Sequence, residues 1–121
     1  MTILVCGSRT ASMKSVRPLA EAILSKHDPN TTTVIHGDCR GADTWAALAA
    51  LTLGMKVVPY PADWGTYGKA AGPIRNQRML DEGKPDLVLA FTPSLKGGTW
   101  DMITRARKAN IETRIVWTKR P

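Results

Sequence analysis

Three short segments combine glycine with hydroxyl, cationic or carboxylate side chains: Gly7-Ser8-Arg9, Gly37-Asp38-Cys39-Arg40-Gly41-Ala42-Asp43 and Gly97-Gly98-Thr99. Each follows a run of β-branched or aliphatic residues and precedes a helical pattern. A strand-to-helix junction aims backbone N–H groups and the positive end of a helix dipole at one point, which suits an anion such as phosphate. Glycine lets the backbone come close to such a group. Ser8 and Thr99 offer hydroxyls, and Arg9 offers a planar cation able to grip phosphate through two N–H groups. Asp38 and Asp43 are placed to contact a ligand, and Asp43 serves equally well as a helix cap. Any one such loop is as well explained as a turn. Three in one small chain favour a phosphate-bearing ligand.

A second cluster lies in residues 62–79. Asp63 and Trp64 fall just past a strand end, and Arg75, Asn76 and Arg78 fall in the first turns of the next helix. Arg75 and Arg78 are three apart and can share a face. Asn76 is a weak helix former, so its place near a helix start suggests capping or contact. A solvated basic face with Asp63 paired to an arginine explains the same residues equally well.

Alternating strand and helix patterns position these loops. Continuous apolar runs at 2–6, 33–36, 56–60, 86–91 and 111–117 read as strands of a parallel sheet. Val16, Leu19, Ala20 and Ile23 form one face of a first helix, with Ser15 as its cap, Pro18 in its first turn and Asp28-Pro29-Asn30 ending it. Residues 43–53 form an almost wholly apolar second helix closed by Gly54. Pro73 opens a third helix that Gly83 ends. Residues 99–109 form a fourth, with Thr99 as its cap. Residues 61–68 read as a polar loop. The order βαβαβαβαβ predicts an α/β, Rossmann-like, doubly wound sheet of five parallel strands in the order 3-2-1-4-5. Its loops after strands one, two and four converge at the carboxyl edge, where ligands bind in such sheets.

Composition sets the bounds. The chain has 121 residues, 43% of them hydrophobic, which fits one domain spanning residues 1–121. It has no apolar run long enough to cross a membrane and no leader-like start, so the expected location is the cytoplasm. Cys6 and Cys39 read as reduced thiols, and no metal or cofactor site is expected. Seventeen Lys and Arg against ten Asp and Glu give a net charge of +7, which favours anionic partners. The cations are scattered, with Arg105, Arg107, Lys108, Arg114, Lys119 and Arg120 in the last third. Trp64 and Trp100 are candidate stacking surfaces, but aromatics make up only 6% and form no basic aromatic stripe. Trp45 and Trp117 are expected in the core.

Taken together, Gly7-Ser8-Arg9, His36-Gly37-Asp38-Cys39-Arg40-Gly41-Ala42-Asp43, Pro61-Ala62-Asp63-Trp64, the segment from Gly68 to Asn76, and Gly97-Gly98-Thr99 with Met102 resemble the YspA-like branch of the SLOG superfamily over nearly the whole chain. The resemblance implies a Rossmann-like domain that binds nucleotides or nucleotide-derived, NAD-like ligands. Small members of the branch occur in bacteria and phages. The superfamily includes phosphoribohydrolases that release cytokinin bases, the single-stranded-DNA-binding DNA-processing protein A group, and sensor domains. The phosphoribohydrolase pattern Pro-Gly-Gly-x-Gly-Thr-x-x-Glu places its catalytic Glu at Met102 here. Their Arg-Lys-x-x-Met pattern keeps Arg75 and Met79 and has Asn76 for Lys. The anion-binding half is therefore retained, and the acid/base position is changed.

Three functions follow as expectations. The first is binding or sensing of a nucleotide-like small molecule through Gly7, Ser8, Arg9, Gly37, Asp38, Gly41, Ala42, Asp43, Trp64, Asn76, Gly97, Gly98 and Thr99. The second is hydrolysis of an N-glycosidic or phosphoester bond in such a ligand, with Asp63 and Arg75 as the catalytic pair and Asp38 or Asp101 as other carboxylates. The third is single-stranded nucleic-acid binding. A homodimer is expected, because the second helix carries more apolar surface than one sheet face can cover.

Overall fold

The computed structural model describes residues 1–119, so Arg120 lies outside the described residues. Five strands, β1 (Thr2–Gly7), β2 (Thr33–His36), β3 (Lys56–Pro59), β4 (Leu87–Thr92) and β5 (Glu112–Trp117), form one sheet in the order β3-β2-β1-β4-β5. Every pairing is parallel. The predicted α/β class and strand order are thus observed. Central β4 is buried at all six positions, as its unbroken apolar run requires, whereas edge strand β3 tolerates Pro59.

Helices α1 (Met13–Leu24) and α2 (Ala42–Thr52) cover one face, packing with Ile3, Val5, Val34, Leu89 and Phe91. Helices α4 (Ala71–Gly83) and α5 (Gly97–Lys108) cover the other, packing with Leu4, Ile35, Val88 and Ala90. The alternation of side chains along each strand produces these two cores. Helix α2 turns alanines 42, 46, 47, 49 and 50 inward and leaves Leu48 and Leu51 exposed. Small residues let the helix lie close on the sheet. Gly54, at φ +84°, follows as the left-handed closing residue.

Several local expectations change. Ser12, not Ser15, caps α1: its side chain accepts from the Ser15 N–H, and Pro18 lies inside the helix rather than in its first turn. The helix ends at Leu24, before the Asp28-Pro29-Asn30 turn. Residues 61–68 are not all loop. Asp63 Oδ1 accepts from the Thr66 N–H and caps a single turn, α3 (Trp64–Tyr67), which leads through a 3-10 turn (Gly68–Ala70) into α4. Helix α4 starts two residues before Pro73. Helix α5 starts at Gly97, so Thr99 is its third residue and Lys96 its N-cap. Trp117 is 59% exposed at the end of β5, not in the core. Ile115 and Val116 of the same strand pack against the two cores, and Trp117, its last residue, lies beyond them. Trp45 is partly buried, with its indole N–H on the Ala11 carbonyl (3.2 Å).

Candidate functional site

At the carboxyl edge, chain direction diverges between β1 and β4. The connection after β1 leads to α1 on one face, and that after β4 leads to α5 on the other. A cleft of about 490 Å³ opens there, within the range of small-molecule sites. Its walls come from the loops after β1, β2 and β4 and from α4. Of the candidate residues, Gly7, Ser8, Arg9, Gly37, Asp43, Arg75, Asn76, Gly97, Gly98 and Thr99 line it.

The glycines divide into two kinds. A Cβ at Gly7 would come within 2.0 Å of the Phe91 carbonyl oxygen, and one at Gly41 within 2.4 Å of the Ser8 carbonyl oxygen. At Gly37 the clash would be with the Arg75 guanidinium, at 2.5 Å. These three glycines let the protein pack against itself. A Cβ at Gly97 or Gly98 meets nothing within 4 Å. Only there does the absence of a side chain leave open space beside the cleft.

Amide accounting gives the same division. The Ser8 N–H donates to the Phe91 carbonyl (3.0 Å), and the Ala42 N–H to the Ser8 carbonyl (3.0 Å). The Gly37 N–H donates to Asp43 Oδ2 (2.8 Å) and the Asp38 N–H to His36 Nδ1 (3.0 Å). Most donors of the first two loops are therefore used internally. The amides of Gly97, Gly98 and Thr99 have no acceptor among the described residues; the first α5 amide to find one is that of Trp100, on the Lys96 carbonyl (3.3 Å). Three residues with unpaired N–H donors at a helix N-terminus thus line the cleft, together with Lys96 and Arg9.

Arg75 and Asp43 form the floor. Arg75 is buried on α4 and donates from Nη1 to the Gly37 carbonyl and, at 3.5 Å, to the Tyr60 carbonyl; its Nε donates to Asn76 Oδ1 (3.0 Å). Cys39 Sγ lies 3.7 Å from both Nη atoms. Asp43, in the first turn of α2, is also buried. Burial pushes its carboxyl up to about 6, against the opposing pull of the Gly37 N–H and the Arg75 charge. Burial likewise raises the Cys6 thiol and lowers His36, whose Nδ1 already accepts a hydrogen bond.

The remaining candidates lie elsewhere. Gly41 and Ala42 are buried behind the cleft as packing and helix-start residues. Asp38 is exposed, at φ +57°, outside the lining. The Asp63 carboxylate caps α3. Trp64 stands behind Arg9, whose guanidinium carbon is 5.5 Å from its ring centre. Asp101 Oδ2 accepts from Asn76 Nδ2 (2.9 Å) and Arg105 Nε (2.9 Å), and Met102 is wholly buried in the core. Among the described residues, Asp43 is accordingly the one carboxylate lining the cleft. Sequence reading missed Thr10, Ser94 and Lys96 as wall residues. The place of Lys96 directly before Gly97-Gly98 was the available signal for that cation.

The profile of the YspA, cpYpsA-related SLOG family matches residues 1–67, which carry the first two loops and Asp63-Trp64. The gene 61 protein of Mycobacterium phage D29 is 35% identical over 114 residues, covering 90% of each chain. Two solved structures of the C-terminal domain of PF1911 hydrogenase from Pyrococcus furiosus share 18% identity, with TM-scores of 0.47 and 0.48. They cover 95% and 94% of this chain, and it covers 90% and 89% of theirs. More than half the chain matches the family profile and a relative aligns along nearly all of it, so this chain belongs to the YspA, cpYpsA-related SLOG family.

Proposed function

We propose that the cleft binds the phosphate of a nucleotide or nucleotide-derived ligand, as a binding or sensing site. One observation carries the reading: the amides of Gly97, Gly98 and Thr99 lack acceptors and open on a cleft that also presents Lys96 and Arg9. Family membership points to the same ligand class. In this reading the α5 amides seat the phosphate and Lys96 and Arg9 neutralise it. Asp43, at the floor, accepts from a sugar hydroxyl. Arg75 supports the floor through the Gly37 and Tyr60 carbonyls. Arg9, stacked on Trp64, couples the phosphate to that ring.

The hydrolytic alternative rests on Asp43. Asp63, Asp38 and Asp101 do not line the cleft, and a carboxyl titrating near 6 in the floor suits proton transfer to or from a reacting sugar. Thermal-shift measurements with a panel of nucleoside mono- and diphosphates and dinucleotides, followed by product chromatography, separate the readings. A stability gain without turnover supports binding or sensing. Turnover that Asp43→Asn abolishes supports hydrolysis. No stabilisation by any member of the panel contradicts both.

We also propose a homodimer in a reducing cytoplasm. Leu48 and Leu51 are exposed three apart on α2, and Cys6 and Cys39 are both free thiols.

A further inference from the structure

Asn76 sits inside α4, where asparagine is a poor helix former, and it is buried. Helix propensity does not account for it, but its side chain does. Oδ1 accepts from Arg75 Nε (3.0 Å). Nδ2 donates to the Gly98 carbonyl (3.3 Å) and to Asp101 Oδ2 (2.9 Å). A side-chain amide has two N–H donors, and both are used here. Asn76 therefore lines the cleft with no donor left for a ligand.

Its partners lie on two elements. Arg75 holds the Gly37 carbonyl, just past β2. Gly98 and Asp101 belong to the start of α5. Asp101 Oδ2 also accepts from Arg105 Nε (2.9 Å), and Arg105 Nη1 donates back to Gln77 Oε1 on α4 (3.0 Å). One buried side chain thus ties the floor of the cleft to the first turn of α5.

That turn has little else to hold it. Its N-cap, Lys96, makes no side-chain cap hydrogen bond, and Gly97, at φ +58°, and Gly98 follow. Two glycines without a capping side chain leave the backbone poorly restrained. A cap would order the turn by consuming the N–H groups. A bond to the Gly98 carbonyl orders it through the opposite end of the peptide. The amides of Gly97, Gly98 and Thr99 then keep no acceptor among the described residues.

We infer that Asn76 is a positioning residue of the cleft: it clamps the first turn of α5 to Arg75, so that the three amides stand in place for an anion before it arrives. Donors already in place lose less freedom on binding. The inference rests on the phosphate reading of the cleft. Asp101 supplies a sign that separates the clamp from plain electrostatics. It anchors Asn76 but does not line the cleft. By charge alone, removing a carboxylate near an anion site tightens anion binding. By the clamp, removing this anchor weakens it.

The test is titration with inorganic phosphate, followed by two-dimensional 15N–1H NMR, of wild type, Asn76→Ala, Asp101→Ala and the double variant. 15N relaxation is measured on the same proteins without phosphate. Asn76→Ala should weaken phosphate binding about tenfold and Asp101→Ala about threefold. The double variant should be no weaker than Asn76→Ala, because both changes act through one contact. Without phosphate, the Gly97 and Gly98 amides should gain fast motion in each variant while β4 stays rigid. The Asp101 side chain is 28% exposed, so Asp101→Ala reads the clamp even where Asn76→Ala does not fold. The inference is overturned if Asp101→Ala binds phosphate as tightly as wild type or more tightly, if the two losses add, or if Gly97 and Gly98 are as ordered in the variants as in wild type. Wild type that binds no phosphate overturns the phosphate reading instead, and the order of Gly97 and Gly98 then decides the clamp.

Discussion

Replacing Arg75 by alanine should damage the floor of the cleft before it touches any ligand. The guanidinium holds the Gly37 and Tyr60 carbonyls and the Asn76 side chain from a buried position. A hydrogen bond to a charged donor contributes about 1.5–3 kcal/mol, and a buried acceptor left without a partner costs about 1–3 kcal/mol. Water entering from the cleft offsets part of that loss, so the net cost should be about 2–4 kcal/mol. Out of a total stability of about 5–15 kcal/mol, the protein remains folded at 25 °C. At roughly 3–6 °C per kcal/mol for a chain of this size, Tm should fall by roughly 6–24 °C. The deficit should also depend on pH. Removing the cation raises the Asp43 carboxyl further above 6, so ionising Asp43 in the folded state becomes costlier. At pH 5 Asp43 is largely protonated in both proteins, and at pH 7.5 it is not, so the variant should lose more at pH 7.5. Thermal unfolding followed by circular dichroism at the two pH values measures both effects. A Tm within about 2 °C of wild type, or a deficit no larger at pH 7.5 than at pH 5, would refute this account of the floor.

The two kinds of glycine should respond oppositely. Gly7→Ala forces a Cβ against the Phe91 carbonyl and should cost more than about 3 kcal/mol in urea unfolding. Gly98→Ala should leave stability within about 1 kcal/mol, and Gly98→Val should reduce nucleotide affinity at least tenfold with the fold intact. Asp43 has a folded-state pKa of about 6 against an ordinary 3.8, so its contribution to stability is fullest below pH 3.8 and is lost as pH rises through 6. Asp43→Asn should therefore gain on wild type by about 2–3 kcal/mol between pH 4 and pH 7; a pH-independent difference would exclude a raised carboxyl. Leu51→Glu should convert a dimer to a monomer in light scattering, and a monomeric wild type at high concentration would remove the α2 interface.

The strands and their order were legible because a buried parallel strand needs an unbroken apolar run, and Leu87 to Phe91 is one. The switch point between β1 and β4 followed from that order, and with it the edge on which ligands can bind. Local ends were less legible. Ser12 and Ser15 are equally good cap residues by type, and only tertiary placement selects Ser12. The turn Trp64–Tyr67 was hidden because Gly65 and Gly68 read as loop, although Asp63 three residues before Thr66 is a cap signature. The glycines carried the deepest ambiguity. Gly41 and Gly98 are the same letter, yet one avoids the Ser8 carbonyl and the other faces open space. Trp117 was expected in the core by residue type, and only its place at the end of edge strand β5 leaves it exposed.

In the proposed site the amide groups at the start of α5 receive a phosphate. This is tested most directly by two-dimensional 15N–1H NMR during titration with nucleoside phosphates. The amides of Gly97, Gly98 and Thr99 should shift together and saturably, with Lys96 and Arg9, while unphosphorylated nucleosides leave them in place. Saturable nucleotide binding that moves other amides and leaves Gly97, Gly98 and Thr99 unshifted would contradict it, as would no binding at all.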